Sequence, residues 1–202
     1  MKTIYDLKPK FQNLLRPITN HFAKVGITAN QITIFALFLS IITGLLLSLN
    51  PNNNFIFCIV PIILFIRMAL NAIDGMLARE HNMKSDLGFI LNEIGDVISD
   101  TAIYLPFGLI SGVNLLLVSI FVCLAIISEM TGVLAMFTGN VRRYDGPLGK
   151  SDRAFILSLI GIIYSAGISI VYWINILFFI LVFLLIITII NRIKNGLKRN
   201  KI

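Results

Sequence analysis

Long apolar runs separated by short polar segments make up most of this chain. They extend over about 32–49, 55–78, 87–110, 114–137, 153–168 and 171–190. Most are close to the roughly 20 residues with which an α-helix crosses the hydrocarbon core of a bilayer, although the run at 153–168 is shorter. The pattern therefore predicts an all-α integral membrane protein with six transmembrane helices.

The segment before the first run has an amphipathic pattern instead. Its apolar residues recur at helical spacing, and basic residues fall between them. The apolar positions are Phe11, Leu14, Leu15, Ile18, Phe22 and Val25, and the basic positions are Lys8, Lys10, Arg16 and Lys24. This pattern predicts an N-terminal helix in the membrane interface, with its apolar face toward the acyl chains and its lysines toward the phosphates. Packing of the same helix against the bundle is compatible with that prediction.

A capping box marks the start of the first predicted span. The Thr28 hydroxyl is placed to accept from the backbone amide of Gln31, three residues later, while the Gln31 side chain reaches back to the amide of Thr28. We therefore expect the first membrane helix to begin directly after Thr28.

Composition favours a membrane protein over a soluble one. Of the 202 residues, 57% are hydrophobic and 13% are charged, whereas a soluble domain has about 25% charged residues. The mean hydropathy is +0.89. The net charge is +7, but the basic residues flank apolar runs, which favours anionic lipid headgroups as partners and excludes nucleic acid. Cys58 and Cys123 lie within apolar runs and are interpreted as small hydrophobic residues, not as a disulfide.

The distribution of Lys and Arg predicts the orientation in the membrane. Basic residues occur before the first run, between the second and third, between the fourth and fifth, and after the sixth. The intervening turns at 50–54, 111–114 and 166–169 contain neither Lys nor Arg. Because cytoplasmic loops carry the excess of Lys and Arg, both termini and the charged ends of the helices are predicted to face the cytoplasm. We expect a bacterial inner membrane protein.

Polar and acidic residues inside the second and third runs are the main functional signal, because charges within spans are costly and usually serve a function. They are Asn71 and Asp74, three residues apart, and Asn92, Asp96 and Asp100, each four apart. Each set shares one helix face. A short connection joins the two helices, so we expect antiparallel neighbours that form a ring of oxygen ligands, with Glu93 nearby. Such ligands, without His or Cys, favour Mg²⁺, Mn²⁺ or Ca²⁺ over zinc.

Two other interpretations of this ring are open. The side chains could be polar packing residues between helices, although carboxylates are unusual in that role. They could also form the ion path of a transporter, although such proteins more often show internal repeats and broken helices near the membrane midplane.

The same residues carry a resemblance to a known family. The run N-A-I-D-G-M-L-A-R at 71–79 is followed, after eight residues, by G-F-I-L-N-E-I-G-D at 88–96. This resembles the motif D-x-x-D-G-x-x-A-R, a gap, then G-x-x-x-D-x-x-x-D of the CDP-alcohol phosphatidyltransferases, and the spacing matches throughout. The resemblance implies transfer of a phosphatidyl or related group from a CDP-linked donor, usually CDP-diacylglycerol, to an alcohol acceptor, with release of CMP.

The resemblance also implies roles for individual residues. Asp96 would be the general base that takes the proton of the acceptor hydroxyl. Mg²⁺ or Mn²⁺ would be held by Asn71, Asp74, Asn92 and Asp96, with Asp100 as an extra carboxylate ligand. CDP would be bound by Asn71, Asp74, Gly75, Ala78, Arg79 and Gly88. Family membership would further imply a CDP-linked lipid donor and a homodimer.

Two positions depart from the family motif, because its first and third aspartates are Asn71 and Asn92 here. Asparagine keeps a carbonyl oxygen but lacks the negative charge, so we expect weaker divalent binding or one ion where the motif would hold two. The alternative to an enzyme is therefore a catalytically impaired relative that binds CDP-lipid. Retention of Asp74, Arg79 and Asp96 favours the enzyme.

A cluster of basic residues precedes the fifth run. It comprises Arg142, Arg143, Lys150 and Arg153. One interpretation is a pocket for a phosphorylated acceptor or a donor phosphate, which the start of a helix near 149–152 would complete. The other is ordinary positive-inside topology. The isolated charges Arg67 and Glu129, in the second and fourth runs, are expected to pair with each other.

These observations divide the chain into three parts. Residues 1–30 are predicted to be a cytoplasmic amphipathic juxtamembrane segment. Residues 31–191 would form the six-helix transmembrane catalytic domain, and residues 192–202 a basic cytoplasmic tail.

Overall fold

The protein is a bundle of α-helices. The computed structural model describes residues 7–198, and every regular element in that range is helical. The helices are α1 Leu7–Lys24, α2 Ala29–Leu49, α3 Ile59–Glu80, α4 Asp86–Tyr104, α5 Leu115–Leu134, α6 Lys150–Ser165 and α7 Val171–Gly196. Short 3₁₀ turns, Asn54–Cys58, Leu105–Leu109 and Ala135–Thr138, precede α3 and follow α4 and α5.

The predicted first and last parts of the chain, residues 1–30 and 192–202, are only partly covered by the described residues. The start of the 1–30 segment, and Arg199 and Lys201 of the tail, lie outside the described residues. Helix α7 continues to Gly196, so the predicted boundary at 191 falls inside a helix.

Four helical segments within residues 7–198 are long and apolar enough to cross a membrane. They are Ala29–Leu49, Asn54–Glu80, Leu115–Thr138 and Val171–Gly196. Their outward faces carry large hydrophobic side chains such as Phe38, Ile42 and Phe183, which remain exposed on the bundle. Extensive exposed apolar surface of this kind suits a lipid environment. The chain is therefore an all-α integral membrane protein, as its hydrophobic pattern predicted.

The predicted capping box is present at the start of α2. The Thr28 hydroxyl accepts from the Gln31 amide at 3.3 Å, and the Gln31 side chain accepts from the Thr28 amide at 2.9 Å. Ser85 caps α4 in a related way, since its hydroxyl accepts from the Gly88 amide at 3.0 Å. Both caps satisfy amides that have no partner within their own helix. They fix where α2 and α4 begin, at the end of the bundle that carries the candidate site.

Helix α2 lies between α3 and α4 and packs closely against both. Within the described residues, the α3 and α4 backbones make almost no close approach to each other. The expectation that they are direct neighbours is therefore wrong, because α2 separates them. Their polar side chains nevertheless meet across the gap, as the hydrogen bond from Asn71 to Asp96 shows. The consequence is an open space between α3 and α4, with α2 as its floor.

The remaining helices enclose an apolar core on the other side of the bundle. Helix α4 packs on α5, α5 on α7, and α6 on α3, while α1 packs on the outside of α3. Edge-on aromatic pairs connect these layers, with ring centroids 5.2 Å apart for Phe57 and Phe107 and 5.4 Å apart for Phe121 and Phe178. All four rings belong to one buried apolar core beside the polar gap.

A glycine permits the close packing of α2 on α4. A side-chain carbon at Gly44 would overlap the backbone carbonyl oxygen of Ala102. Gly95 on α4 is the useful contrast, since a carbon there would meet only Thr33 Cγ2, at 3.7 Å. One glycine is therefore required by helix packing, and the other is tolerant of substitution.

We expect Gly44→Ala to destabilise the protein by about 1–3 kcal/mol, because the added methyl group must push α2 away from α4. Thermal unfolding in detergent measures the effect, with Gly95→Ala as the matched control in a neighbouring helix. Equal melting temperatures for the two variants would contradict this account of the α2–α4 contact.

Candidate active site

A cavity of about 590 Å³ opens between α2, α3 and α4. We call it the α2–α4 cavity. All six residues predicted to bind CDP line it, namely Asn71, Asp74, Gly75, Ala78, Arg79 and Gly88. Asn92 lines the same cavity. The motif residues on α3 and α4 therefore converge on one space, even though the two helices are not direct neighbours.

The sequence analysis missed the contribution of α2 to this cavity. Asn30 and Thr33 both line it, and the Thr33 hydroxyl donates to Asp74 Oδ2 at 2.8 Å. The available signal was their spacing, because two polar residues less than one turn apart open an otherwise apolar helix. The α3–α4 connection adds further lining residues, which are Met83, Lys84, Ser85, Asp86 and Phe89.

Gly88 is needed where α4 approaches α2. A side-chain carbon at this position would lie 2.7 Å from Asn30 Oδ1 and 3.0 Å from the Ser85 hydroxyl oxygen. The absence of that carbon lets the polar end of Asn30 sit against the first turn of α4. The motif glycine thus keeps the wall of the cavity open and polar.

A second cavity of about 420 Å³ lies between α3 and α6. Its outer part is apolar and includes Phe65, Met68 and Phe155, all of which are exposed on the bundle surface. Its inner end is polar and includes Asn71 and Lys150. We call it the α3–α6 groove. Asn71 lines both cavities, so the groove and the α2–α4 cavity meet at this side chain.

Asp96 lies directly against Asn71, the residue shared by the two cavities. Its Oδ1 accepts from the Asn71 amide at 3.0 Å, and its Oδ2 is in contact with the ammonium of Lys150. Arg67 Nη2 lies 3.9 Å from Oδ1. The predicted base therefore contacts Asn71 and Lys150, two residues that line the inner end of the groove.

Asp100 is deeper in the bundle than Asp96, and both of its carboxylate oxygens pair with arginines. Its Oδ1 lies 3.0 Å from Arg67 Nη1, and its Oδ2 lies 3.3 Å from Arg153 Nη2. The predicted pairing of Arg67 with Glu129 is wrong, because Asp100 lies one turn beyond Asp96 on the facing helix and takes the Arg67 guanidinium. The same two contacts leave Asp100 poorly placed to be a metal ligand.

Glu129 is the centre of a second group of charges. Its Oε1 lies 2.9 Å from Arg153 Nη2 and 3.5 Å from Arg192 Nη1. Its Oε2 lies 3.2 Å from Arg142 Nη2, and the other terminal nitrogen of Arg142 lies 2.6 Å from Glu93 Oε1. The Glu129, Arg153 and Arg192 side chains are buried. Three arginines from three parts of the chain therefore surround one buried carboxylate.

Arg192 was not singled out from the sequence, where it looked like the start of the basic tail. A signal was present, however, in the inward-facing residues of α7. They are Ile174, Phe178, Leu181, Leu185, Thr188 and Arg192. Their spacing of three and four residues continues through Arg192, which indicates an arginine that points into the bundle.

Arg143 does not join the other basic residues of its loop. It forms a bidentate ion pair with Asp145, with nitrogen-to-oxygen distances of 2.7 and 2.9 Å. Partial burial works to raise the pKa of the Asp145 carboxyl, but the hydrogen bonds and charge of Arg143 outweigh it and hold that pKa below its usual range. Arg142, Lys150 and Arg153 pair with carboxylates of α4 and α5, whereas Arg143 pairs with a carboxylate of its own loop.

The geometry of the cavity agrees with the comparison of the chain with protein families. The family model for CDP-alcohol phosphatidyltransferase matches residues 26–195. The chain belongs to the CDP-alcohol phosphatidyltransferase family. It is thus a membrane-bound member of a transferase family of phospholipid biosynthesis, and the match includes residues 71–96.

Known relatives and solved structures of similar fold extend this assignment. The chain is 49% identical over 195 residues to the inner membrane protein YnbA of Escherichia coli, covering 96% of each protein. It is 37% identical over 105 residues to an uncharacterized protein of Aquifex aeolicus, covering 50% of this chain and 47% of that one.

Structures of the phosphatidylinositol phosphate synthase PgsA1 of Mycobacterium tuberculosis have the same fold. The form in complex with manganese and citrate matches with a TM-score of 0.74 at 19% identity, covering 92% of this chain and 90% of PgsA1. The form with CDP-DAG bound also matches with a TM-score of 0.74 and 19% identity, covering 92% and 94%. At this identity the likeness establishes the fold of the bundle.

The donor set of the family motif suits a divalent ion completed by substrate oxygens. On the motif quoted above, Asp74 and Asp96 would supply carboxylates, and Asn71 and Asn92 would supply amide oxygens. Among residues 7–198, no three His, Cys, Asp or Glu side chains converge in a way that could hold a metal ion. Mg²⁺ commonly binds one or two carboxylates together with substrate phosphates, so two carboxylates fit such an ion.

We expect Asn71→Asp to tighten Mn²⁺ binding by roughly tenfold, or about 1.4 kcal/mol. The new carboxylate would lie against Asp96, and the two like charges would repel unless a cation lies between them. The variant should therefore be less stable in EDTA than the natural protein and regain stability with Mn²⁺, as measured by thermal shift.

Asn13→Asp is the control for that experiment, because it adds the same charge beside Arg16 on α1, away from the motif. An Asn71→Asp variant with unchanged Mn²⁺ affinity and unchanged stability in EDTA would contradict a metal site at this position.

Proposed function

We propose that the protein transfers a phosphatidyl or related phosphoalcohol group from a CDP-linked donor, CDP-diacylglycerol in the first instance, to an alcohol acceptor, with release of CMP. The main observation in support is that the polar α2–α4 cavity and the apolar α3–α6 groove meet at Asn71. A donor with a nucleotide at one end and acyl chains at the other has this same division of polarity.

The nucleotide end of the donor is assigned to the α2–α4 cavity. Arg79 and Lys84 line it and are the natural partners of the donor phosphates. Arg in particular forms bidentate hydrogen bonds with phosphate oxygens. Gly75 and Ala78 keep the α3 wall low enough for close approach. Thr33, by its hydrogen bond to Asp74, fixes the orientation of that carboxylate.

The lipid end of the donor is assigned to the α3–α6 groove. Phe65, Met68 and Phe155 form an apolar surface that is open to the bilayer, so the acyl chains need not leave the hydrocarbon region. The pyrophosphate of the same molecule would then cross Asn71. PgsA1, which shares the fold, has been solved with CDP-DAG bound, and this supports a CDP-lipid donor here.

Asp96 is proposed as the general base. The acceptor hydroxyl would give its proton to the Asp96 carboxylate as the hydroxyl oxygen attacks the β-phosphorus. The bond between that phosphorus and the bridging oxygen then breaks, and CMP leaves with the bridging oxygen. Asn71 and Lys150 hold the carboxylate at the point where the two cavities meet.

A divalent ion, Mg²⁺ or Mn²⁺, would be held by Asp74 and Asp96 with Asn71 and Asn92. When bound, it would offset the negative charge that develops on the pyrophosphate oxygens. PgsA1 was solved in complex with manganese. Asp100 is reassigned in this proposal, because its pairing with Arg67 and Arg153 makes it a support for the site instead of a ligand.

The acceptor is assigned to the side of Asp96 that faces α5, α6 and α7. Arg142, Lys150 and Arg153 lie around that side, through their contacts with Glu93, Asp96 and Asp100. Arg143, which binds Asp145, is left out of the acceptor site.

We expect purified protein in nanodiscs to release CMP from CDP-diacylglycerol when Mg²⁺ or Mn²⁺ and the right alcohol are present. Asp96→Asn should slow this release by about 10²–10⁴-fold, the usual contribution of a general base. Glu80→Gln is the matched control, because it removes an exposed carboxylate that pairs with Arg16 outside the cavity.

The alternative function is a protein that binds CDP-lipid without turning it over, and the loss of two motif carboxylates favours this alternative. It would be supported if CDP-diacylglycerol binds while no alcohol in a broad panel yields CMP. Restoration of turnover by Asn71→Asp with Asn92→Asp would then identify these two asparagines as the cause.

For the membrane arrangement we propose six spans, with α4 and α6 joining the four longer segments, and with α1 in the interface. The charged ends of the helices and both termini would then be cytoplasmic. The relative YnbA is named an inner membrane protein, which supports the same location here. A homodimer is retained from the family resemblance.

Reporter fusions test this topology. Alkaline phosphatase fused after the C-terminus should be inactive, and the same enzyme inserted in the turn at 111–114 should be active, because only the second would be exported. An active C-terminal fusion would overturn the six-span arrangement.

A further inference from the structure

The guanidinium of Arg67 has one edge that binds nothing in the protein. The side chain lines the α3–α6 groove and is 4% exposed. Its Nη1 donates to Asp100 at 3.0 Å, whereas Nε and Nη2 are buried without a hydrogen-bond partner among the described residues. The 3.9 Å from Nη2 to Asp96 is too long for a hydrogen bond. Because buried donors without a partner are destabilising, this edge indicates a ligand.

The same edge binds an oxyanion at two other places in this protein. Arg143 donates through Nε and Nη2 to the two carboxylate oxygens of Asp145. Arg16 uses the same two nitrogens for the two oxygens of Glu80. This edge of a guanidinium matches a pair of oxygens on a carboxylate or a phosphate. In Arg67 it is this pair of nitrogens that lacks a partner, so the ligand that it would take is an oxyanion.

Further groups that suit an anion lie at the inner end of the groove. Lys150 and Ser151 both line it. They are the first two residues of α6, where backbone amides have no acceptor within their own helix. The amides and the dipole at the start of a helix favour an anion. The inner end therefore combines two cations with a hydroxyl group and the first turn of α6.

The outer part of the groove indicates what kind of oxyanion would enter. Phe65 and Met68 of α3 and Phe155 of α6 line it, and all three are exposed on the bundle surface. The groove therefore opens through an apolar wall and ends at cations. This order suits a phosphate that carries acyl chains, and it does not suit inorganic phosphate or a soluble phosphate ester.

We propose that Arg67 binds the phosphate next to diacylglycerol in a CDP-linked lipid donor. This inference rests on the proposed function, and it divides the pyrophosphate of the donor between the two cavities. The phosphate that leaves with CMP lies in the α2–α4 cavity with Arg79. The phosphate that the acceptor attacks lies at the inner end of the groove with Arg67 and Lys150. Asp96, which contacts Lys150, is then beside the phosphorus at which the hydroxyl group reacts.

The guanidinium of Arg67 must turn toward the groove to make this contact, because its Nε and Nη2 are buried. Within residues 7–198, the bond from Nη1 to Asp100 is the side-chain hydrogen bond that holds it. Asp100 also lines the groove, and its other oxygen lies 3.3 Å from Arg153. Asp100 therefore keeps a cationic partner when Arg67 turns, which limits the cost of the movement.

Dioctanoyl phosphatidic acid tests the inference on the natural protein, because it has two acyl chains and a phosphate but no nucleotide. Binding is measured by calorimetry in detergent. Dioctanoylglycerol, which lacks the phosphate, should bind at least about tenfold more weakly. Saturating CMP should change the affinity for phosphatidic acid by less than about threefold, because the two ligands occupy different cavities. Equal binding of the two lipids, or exclusion of phosphatidic acid by CMP, would overturn the inference.

Substitutions test the role of Arg67 itself. Arg67→Gln should weaken binding of phosphatidic acid by about tenfold or more and leave the affinity for CMP unchanged, whereas Arg79→Gln should do the reverse. Arg67→Lys keeps a cation beside Asp100 but lacks the edge with two nitrogens, so it should weaken phosphatidic acid as well.

Arg16→Gln is the control for general attraction of an anionic lipid to a basic protein, because Arg16 pairs with Glu80 outside the groove. Folded Arg67→Gln or Arg67→Lys protein that binds phosphatidic acid as tightly as Arg16→Gln would contradict the role given to Arg67.

Turnover separates the failure of this inference from the failure of the proposed function. Where CMP is released, Arg67→Gln should raise the KM for CDP-diacylglycerol by about tenfold, as expected for a lost binding contact. An unchanged KM would overturn the inference and leave the proposed function in place. Where no alcohol yields CMP, loss of phosphatidic acid binding in Arg67→Gln would still support the inference, and only the proposed function would fail.

Discussion

The cost of placing charge inside a membrane bundle governs the architecture of this protein. A buried charge without a partner costs several kcal/mol, and the interior here contains several arginines and carboxylates. Arg153 and Arg192 are almost completely buried, and carboxylate and carbonyl oxygens surround each guanidinium. The ion pairs also dictate which helices must come together, since α4, α5, α6 and α7 each supply a member. Removal of one carboxylate would leave its arginine partners uncompensated, so function and stability are coupled at these positions.

The position of α2 has an equally direct effect on the site. By packing between α3 and α4, it keeps the two motif helices apart and leaves their polar faces to enclose a cavity instead of packing together. The contact at Gly44 brings α2 against α4, and the one from Thr33 to Asp74 connects α2 with α3. The family motif therefore depends on a helix that contains none of its residues. This explains why Asn30 and Thr33 belong to the cavity although they lie about 40 residues before Asn71, where the motif begins.

Much of the fold could be predicted from the sequence, because helix boundaries follow local signals. The capping box at Thr28 and the long apolar runs are of this kind, and the structure agrees with both. The six predicted nucleotide-binding residues also line one cavity, because the spacing of the motif fixes their helix faces. The prediction failed where it required knowledge of neighbours. Arg67 pairs with Asp100 instead of Glu129, because the partner of a buried charge is decided by three-dimensional packing. Arg192 was missed because a basic residue near a helix end has two possible uses, and only the stripe of inward-facing residues on α7 separates them.

The ion pairs around Asp96, Asp100 and Glu129 connect two halves of the bundle that have different roles in the proposed function. Helices α2, α3 and α4 enclose the cavity that we propose for the nucleotide, while α5, α6 and α7 supply the charged residues on the opposite side of Asp96. A substitution on α5 or α7 can therefore alter what approaches Asp96 from one side without changing the cavity on the other. Such a separation lets one half of the molecule vary during evolution while the other half stays fixed. On the proposed function, such changes would alter the acceptor that reaches Asp96 while the donor cavity stays the same.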